Sequence, residues 1–237
     1  MKITWFGHSA FRIETGSSVI MLDPFLSENP TWTGTVEEAS RGATHVILTH
    51  GHHDHIGDSA EICKTTGALL VANFEICMYL SGEEGVENFS PGNQGGEQDL
   101  GDFTAALVPA WHSSSFAVDG KLRYMGTAGG IVIMPKTPGD PTVYHAGDTA
   151  LFSDMALIDE LYAPTVGFIP IGDRFTMGAR QAAFACMRYF NFDTVIPCHY
   201  GTFPIIDQTA DSFVREMHGS QTEVVVPKIG EAVRFEG

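Results

Sequence analysis

The sequence predicts an α/β fold formed as one domain over residues 1–237. Apolar runs of strand length alternate with segments of helical periodicity, no low-complexity stretch interrupts the chain, and no linker divides it. A chain of 237 residues that is 43% hydrophobic is large enough to bury roughly 70–75% of its unfolded surface. We therefore expect a core that needs no disulfide to hold it together.

The first third of the chain predicts a meander of three strands, followed by alternating helices and strands. Gly7 and the pair Gly16-Ser17 are turn signals between short apolar runs. Asp23-Pro24 starts a loop, and Gly67 is the expected end of a helix. The predicted strands are residues 2–6, 11–14, 18–22, 46–49 and 68–72, and the predicted helices are residues 35–41 and 58–66.

The remainder of the chain predicts a strand-rich middle and then a second alternating region. In the middle, residues 84–135, we expect glycine-rich turns at residues 92–96 and at Gly129-Gly130. In the last third, the predicted helices are residues 154–161, 178–189 and 207–218, and the predicted strands are residues 166–169, 193–196 and 223–226.

The densest group of metal-ligand side chains is the segment His50-Gly51-His52-His53-Asp54-His55. A regular helix would point these side chains in different directions. A tight loop after the apolar run at residues 46–48 would instead fold them around one point. Neutral imidazole and carboxylate together suit borderline divalent metals. This spacing favours a metal-binding loop over a histidine-rich surface accident.

Three later apolar runs also end in a side chain that can bind a metal: His112, Asp148 and His199. Strand ends are where loops converge on a rigid scaffold. A single His or Asp at such a position is about as often a cap or a hydrogen-bonded partner. Together with the histidine-rich segment, however, they complete a set of seven candidate ligands.

This set resembles the ligand pattern of the metallo-β-lactamase superfamily, in an order that spans nearly the whole chain. The pattern here is Thr49-His50-x-His52-x-Asp54-His55, then His112, then Gly147-Asp148-Thr149, then His199. The resemblance implies a four-layer αββα sandwich, with the site at the edge where the strands end. It also implies two metal ions, one held by His50, His52 and His112, the other by Asp54, His55 and His199, with Asp148 bridging them.

Three shorter stretches make the sequence similar to a narrower group within that superfamily. They lie at residues 5–11, 170–177 and 199–204. They resemble a bacterial branch of metal-dependent hydrolases related to the ascorbate-6-phosphate lactonases. The expected substrate is then a small molecule with a lactone, phosphodiester or other ester bond.

Two metals roughly 3.5–4 Å apart can lower the pKa of a shared water to near 7 and polarise a substrate oxygen. The expected nucleophile is therefore a metal-bound hydroxide, with Asp54 and Asp148 as the catalytic carboxylates that orient it and carry a proton. The sequence has no G-x-S-x-G elbow or convincing Ser-His-Asp grouping to suggest a protein nucleophile. A ligand set without thiolate fits Zn, Mn, Fe or Ni, and zinc is favoured for hydrolysis.

Four further residues are candidates for orienting ligands or for contacting the substrate. His8 follows the first turn and either reaches the metal pocket or is a hydrogen-bonded turn histidine. Asp23 either orients a ligand imidazole or simply starts the loop at Pro24, and the family resemblance favours the first. Asp173 and Arg174 share a loop in which Arg174 would bind a phosphate or carboxylate, although solvated surface charge is an equally good interpretation.

Charge and composition restrict the partners. Thirteen Lys and Arg against 29 Asp and Glu give a net charge of −16, which repels nucleic acid at distance. A small substrate, including a small anion drawn by the metal ions, remains the expected partner. No signal peptide or membrane span is recognisable, so we expect a cytoplasmic protein, and homo-oligomerisation stays open. Cysteines 63, 77, 186 and 198 are predicted to be buried free thiols.

Three other functions fit the sequence less well than a hydrolase does. A di-iron redox protein on the same fold usually needs a flavin-binding partner domain, and the chain ends about where the hydrolase domain should. A non-catalytic metal-binding module would be expected to lack a ligand, and here no ligand position is missing. A true β-lactamase is disfavoured because those enzymes typically lack the bridging carboxylate that Asp148 supplies.

Overall fold

The structure is a computed structural model that describes residues 1–235. Its first sheet has seven strands, and its outermost strand comes from the far end of the chain. In spatial order these are β16 (Ala232–Arg234), β1 (Lys2–Trp5), β2 (Phe11–Thr15), β3 (Ser18–Leu22), β4 (His45–Ile47), β5 (Leu69–Asn73) and β6 (Phe89–Gly92). Strands β16 to β3 pair antiparallel, and β3 to β6 pair parallel.

The second sheet also has seven strands, and a separate hairpin leaves it between β8 and β11. In spatial order the sheet contains β15 (Glu223–Val224), β14 (Thr194–Cys198), β13 (Val166–Pro170), β12 (Val143–His145), β11 (Gly129–Pro135), β8 (Phe103–Pro109) and β7 (Glu97–Asp99). The hairpin consists of β9 (Ser115–Val118) and β10 (Lys121–Tyr124) and pairs with neither large sheet. Strands β12 to β15 are parallel to one another.

Seven helices are described, and most of them cover the outer faces of the two sheets. They are α1 (Val36–Ser40), α2 (His53–Ile56), α3 (Ser59–Thr66), α4 (Phe74–Glu84), α5 (Met155–Tyr162), α6 (Ala179–Tyr189) and α7 (Asp211–Glu216). Buried residues of α1, α3 and α4 form one apolar cluster with the first sheet. Buried residues of α5, α6 and α7 belong to the other cluster, which contains the second sheet.

The inner faces of the two sheets pack directly against each other. Phe11 of β2 and Phe168 of β13 are fully buried, and their rings stack with centroids 4.0 Å apart. Because each sheet also has a helical layer on its outer face, the order of layers is αββα, and the predicted fold class is confirmed. None of the helices between residues 1 and 235 is both long and apolar enough to cross a membrane.

Most predicted elements are present within a few residues of their expected bounds. The helix expected at 58–66 begins after Asp58 and ends at Gly67, which has the left-handed conformation expected of a C-cap. The four cysteines are buried free thiols, as predicted. The helix expected at 207–218 covers only Asp211–Glu216, and residues 207–210 lie outside it.

Two parts of the prediction were wrong or incomplete. Gly129-Gly130 is not a turn but the start of β11, where a Cβ on Gly130 would lie 2.9 Å from the ring of Tyr144 and 3.0 Å from the His145 carbonyl oxygen. Glycine is required there by close packing between strands. Helix α4 was not predicted, although Asn73 caps its first turn by accepting a hydrogen bond from the Ile76 amide and Gly85 ends it.

Candidate metal centre

The seven candidate ligands lie in the segments that follow four strand ends at one edge of the sandwich. His50 follows β4, His112 follows β8, Asp148 follows β12 and His199 follows β14. In a parallel sheet the carboxyl ends of neighbouring strands meet at one edge, which is where α/β proteins place their sites. Distant parts of the sequence are therefore brought together by topology.

The histidine-rich segment is only partly the tight loop that the sequence predicts. Residues 50–52 belong to no strand or helix, whereas His53–Ile56 form the single helical turn α2, with His52 as its extended N-cap. His55 is buried and faces the site, but His53 faces solvent and pairs with Glu28. Gly51 is held against the hairpin because its amide donates to the Ser114 hydroxyl.

One group of donors, which we call the trihistidine cluster, consists of His50, His52 and His112. Nδ1 of His52 lies 3.0 Å from Nε2 of His50 and 3.3 Å from Nε2 of His112. All three donor atoms lie within 4.8 Å of one another. A divalent ion bound by three imidazoles needs this convergence of ring nitrogens.

A second group, which we call the carboxylate cluster, consists of His8, Asp54, His55 and His199. Oδ2 of Asp54 lies 4.0 Å from Nε2 of His55 and 3.9 Å from Nε2 of His199. The same oxygen lies 2.9 Å from Nε2 of His8. The four donor atoms are again within 4.8 Å of one another.

Asp148 lies between the two clusters and faces both. Its Oδ2 is 3.5 Å from Nε2 of His112 and 3.9 Å from Nε2 of His50 in the trihistidine cluster. The same oxygen is 3.0 Å from Nε2 of His199, and Oδ1 is 3.2 Å from Nε2 of His55, both in the carboxylate cluster. One carboxylate therefore joins two sets of converging donors.

Several of these atoms are buried without a protein partner in hydrogen-bonding geometry. They are Nε2 of His55, Nε2 of His199 and Oδ1 of Asp148. An unsatisfied buried polar group costs about 1–3 kcal/mol, so three at one point need an explanation. Imidazole nitrogens and a carboxylate oxygen are the donors that divalent metals accept, and the residues fit bound metal ions.

The three imidazole rings of the trihistidine cluster favour the neutral form. Burial lowers the pKa of all three rings below the usual 6.5, and the neighbouring charge of His55 lowers it further. The effect is largest at His50, which is fully buried. Neutral rings have a free lone pair, so at neutral pH no proton competes with a metal at this cluster.

The carboxylate cluster has the opposite electrostatics. Burial alone would lower the pKa of His55, but Asp148 and Asp23 outweigh burial and raise it well above 6.5. Burial would raise the pKa of Asp148, yet His199 and His55 hold it well below its ordinary value. Asp54 is likewise held low, because the hydrogen bond from His8 overcomes its burial.

Asp23 is fully buried behind the site and acts on His55. It accepts hydrogen bonds from the Thr49 amide at 2.8 Å and the Thr49 hydroxyl at 2.6 Å. Its Oδ2 also lies 2.7 Å from Nδ1 of His55 and 3.1 Å from Nε2 of His145. With a proton on Nδ1, His55 presents the lone pair of Nε2 to the site, which is how an outer carboxylate orients a metal-ligating imidazole.

His8 is also fully buried, and both its ring nitrogens have partners. Nε2 faces Asp54 and Nδ1 lies 3.0 Å from the Thr202 hydroxyl. Burial and the nearby His199 lower the pKa of His8 to about 4. Sequence reasoning singled out His8 but not Thr202, which lies in an irregular segment with no periodic signal.

The loop that carries Asp173 and Arg174 follows Gly172, whose backbone packs against His199. Within residues 1–235 neither Asp173 nor Arg174 forms a hydrogen bond or an ion pair with any of the seven candidate ligands. The Arg174 guanidinium lies over the ring of its neighbour Phe175, at 5.7 Å. The side chain of Asp173 lies beside Gly178 instead.

Backbone strain concentrates at this edge of the fold. His8, Asp23 and His199 have φ values of 50°, 42° and 56°, in the left-handed region that residues other than glycine seldom adopt. Each such residue costs of order 1–3 kcal/mol and persists only where its surroundings fix it. Here the His199 amide donates to the carbonyl of His8, which ties two of the strained residues together.

The chain resembles known proteins over nearly its whole length. Residues 2–199 match the family model of the beta-lactamase superfamily domain. A protein of Methylocella silvestris, named metal-dependent hydrolase, is 56% identical over 230 residues, covering 97% of this chain and 98% of its own. A protein of Chelativorans sp. with the same name is 57% identical over 235 residues, covering 98% and 99%.

A solved structure is similar over the same length. Igni18, described as a novel metallo hydrolase from the archaeon Ignicoccus hospitalis, superposes with a TM-score of 0.87 at 37% identity. The match covers 100% of this chain and 98% of that one. The chain therefore belongs to the beta-lactamase superfamily and, within it, to a family of metal-dependent hydrolases.

Proposed function

We propose that this protein holds two divalent metal ions and hydrolyses an ester-type bond, a lactone or a phosphodiester, in a small molecule. The observation that supports the proposal is the placement of Asp148. Its two oxygens face donors of both clusters at 3.0 to 3.9 Å. A carboxylate in that position offsets the repulsion between two neighbouring dications.

In this proposal the two clusters divide the ions between them. His50, His52 and His112 hold one ion, Asp54, His55 and His199 hold the other, and Asp148 contacts both. Zinc suits this set of imidazoles and carboxylates, and Mn, Fe and Ni also fit it. Bound divalent ions supply Lewis acidity, which polarises a substrate oxygen and lowers the pKa of a shared water to near neutrality.

The protein's own residues then have separable roles. Asp23 fixes the tautomer and orientation of His55, and His8 holds one oxygen of Asp54 in place. Asp54 and Asp148 are deprotonated, because the pKa of each is held below its ordinary value. Each can orient the attacking water and accept its proton, which later passes to the leaving group.

Metal content separates the two clusters experimentally. We expect the His50→Ala, His52→Ala double variant to remain folded but to bind one equivalent fewer of metal than wild type, since the core does not depend on the ions. His53→Ala is the matched control, because His53 belongs to the same segment and its side chain is 56% exposed. Elemental analysis and an absorption spectrum on protein purified without added metal give stoichiometry and metal type.

Hydrolysis is tested with a panel of lactones, phosphodiesters and β-lactams on the metal-loaded protein. We expect turnover of at least one ester-type substrate, lost in the double variant and kept in His53→Ala. Two full equivalents of metal and undiminished turnover in the double variant would show that these histidines are not ligands.

A further inference from the structure

Two grooves meet at His112, one on each side. The first has a volume of about 520 Å³ and runs past Pro109, Ala110 and the exposed ring of Trp111. The second has a volume of about 450 Å³ and runs along the hairpin, past Leu122 and Tyr124. Both are lined by His112 and Thr127. A molecule held at the trihistidine cluster can therefore extend into either groove.

The hairpin carries apolar side chains on its outer face. Arg123 and its cross-strand partner Phe116 lie on the other face, beside Tyr79: the guanidinium, on a side chain that is 45% exposed, pairs with Glu83 at 2.6 Å and lies over the Tyr79 ring, and Phe116 packs on the same ring. Leu122 and Tyr124 alternate with Arg123 and are 78% and 70% exposed. An exposed strand face normally carries the polar residues, so this apolar face needs another partner.

The grooves are also uncharged, because burial lowers the pKa of His112 and keeps its ring neutral, and their polar residues are Gln94, Thr127 and the serines at 113 to 115. Within the described residues, none of the side chains that line them is Lys, Arg, Asp or Glu. A larger depression of about 710 Å³ beside α6 carries Asp173, Arg180, Asp207 and Glu216, but none of the candidate ligands. The groove walls that are continuous with the metal centre thus suit a neutral, apolar group.

We propose that the substrate is an uncharged ester or lactone with an extended apolar chain, which lies along Trp111 and the Leu122–Tyr124 face of the hairpin. This inference rests on the proposed hydrolytic function and adds the chemical class of the substrate. A compact anion would find no cationic side chain in either groove. An apolar chain would remove the exposed aromatic and aliphatic surface from water.

The length of the acyl chain of an ester substrate tests directly whether these grooves bind an apolar group. With p-nitrophenyl esters from acetate to hexanoate and the metal-loaded protein, kcat/KM should rise about twofold per methylene, half the full transfer effect, because the grooves are open. In Leu122→Thr, Tyr124→Thr, which keeps strand-forming residues, the hexanoate-to-acetate ratio should fall from about 15 to about 3. Leu161→Gln is the control, because Leu161 is 73% exposed on α5 and lines neither groove.

Binding without chemistry separates this inference from the proposed function. The matching p-nitrophenyl alkyl ethers cannot be hydrolysed, and their affinities, measured by equilibrium dialysis, should rise with chain length in wild type and in Leu161→Gln but not in the hairpin variant. If no ester is turned over while the ethers still bind in this way, the proposed ester hydrolysis is wrong, whereas the proposed binding of apolar chains in the grooves is supported. Ether affinities that do not depend on chain length, or that are unchanged in the hairpin variant, would contradict the proposal that these grooves bind an apolar chain.

A second copy of the chain is the competing occupant of the same surface. Light scattering on wild type and the hairpin variant detects it. A dimer that dissociates in the hairpin variant, with unchanged ether binding, would assign the face to self-association and contradict the proposal. A single oligomeric state in both proteins, with ether binding lost in the variant, supports it.

Discussion

The two halves of the metal centre use similar side chains in opposite ways. The trihistidine cluster combines three imidazoles whose pKa values are lowered mainly by burial. The carboxylate cluster surrounds His55 with Asp148 and Asp23, which raise its pKa above the ordinary value. One half is therefore prepared as neutral ligands, whereas the other is a network of compensating charges.

This difference implies different routes to a stable site without metal. The rings of the trihistidine cluster can remain neutral, because the N–H of one ring can donate to the free nitrogen of another across 3.0 or 3.3 Å. In the carboxylate cluster a proton on His55 balances the surrounding carboxylates. A buried charge is tolerated when it is paired, so in the absence of metal this proton takes the place of one positive charge of the ion.

Asp148→Asn should have the largest effect, because the Asp148 carboxylate faces donors of both halves. The amide is nearly isosteric but neutral, so it cannot offset the repulsion between two dications. We expect the second ion to bind much more weakly and turnover to fall by about 10²-fold or more, the scale of losing one electrostatic element of a transition state. Metal titration by calorimetry and turnover of a substrate found in the panel measure the two parts.

Asp58→Asn is the matched control for that variant. Asp58 also accepts several hydrogen bonds, from the amides of Leu26 and Ser27 and from the Ser27 hydroxyl, but none from a candidate ligand. It should keep both ions. Two unweakened binding events and near-normal turnover in Asp148→Asn would rule out the shared role of Asp148.

Asp23→Asn should have the next largest effect and should act mainly on one half. Asp23 contacts His55 directly, whereas it is linked to His50 of the trihistidine cluster only through the Thr49 hydroxyl. Loss of such an outer carboxylate typically lowers metal affinity 10- to 100-fold. We expect that loss for the ion at the carboxylate cluster and a smaller loss for the ion at the trihistidine cluster, because Thr49 stands between Asp23 and His50, measured by competition with a chromophoric chelator.

Asp102→Asn provides the comparison for Asp23→Asn, because Asp102 accepts hydrogen bonds from Ser17 and Ser18 far from the site. Equal weakening of both ions in Asp23→Asn would mean that the residue supports the fold rather than His55. A normal melting temperature together with selective weakening would support the orienting role.

The seven candidate ligands were recognisable from the sequence because their spacing around strand ends is local information. Their division into two electrostatically different halves was not. That division depends on Asp23, which is 32 residues from His55 in sequence but 2.7 Å away in space. It also depends on how the carboxylates of Asp54 and Asp148 face the imidazole rings around them. Packing across the sheet edge decides this, and no periodicity in the chain records it.

The same difference between local and long-range constraints explains which parts of the predicted fold were wrong. Caps and glycine stops are local, so the helix that ends at Gly67 was placed well. Gly130 was mistaken for a turn residue because its constraint comes from Tyr144, on a neighbouring strand. The exposed apolar face at Leu122 was equally impossible to predict, since only the paired hairpin shows that Arg123 lies on the opposite face, next to Glu83.

The smallest expected effect is the pH dependence of metal binding, and it differs between the two halves. The raised pKa of His55 means that the ring carries a proton at pH 7, which a bound ion must displace. Affinity at the carboxylate cluster should therefore rise about tenfold per pH unit as long as the pH is below that pKa. At the trihistidine cluster the pKa values lie below 6.5, so metal affinity should be constant above pH 7 and fall only in acid.

Two variants allow each cluster to be measured by itself. The His50→Ala, His52→Ala double variant leaves the carboxylate cluster, and His199→Ala leaves the trihistidine cluster. Calorimetry of each variant in two buffers with different ionisation enthalpies counts the protons released. We expect about one proton for the carboxylate cluster and close to none for the trihistidine cluster. Equal proton release from both would contradict the electrostatic difference between the halves, whereas the expected inequality would tie it to the carboxylates that surround His55.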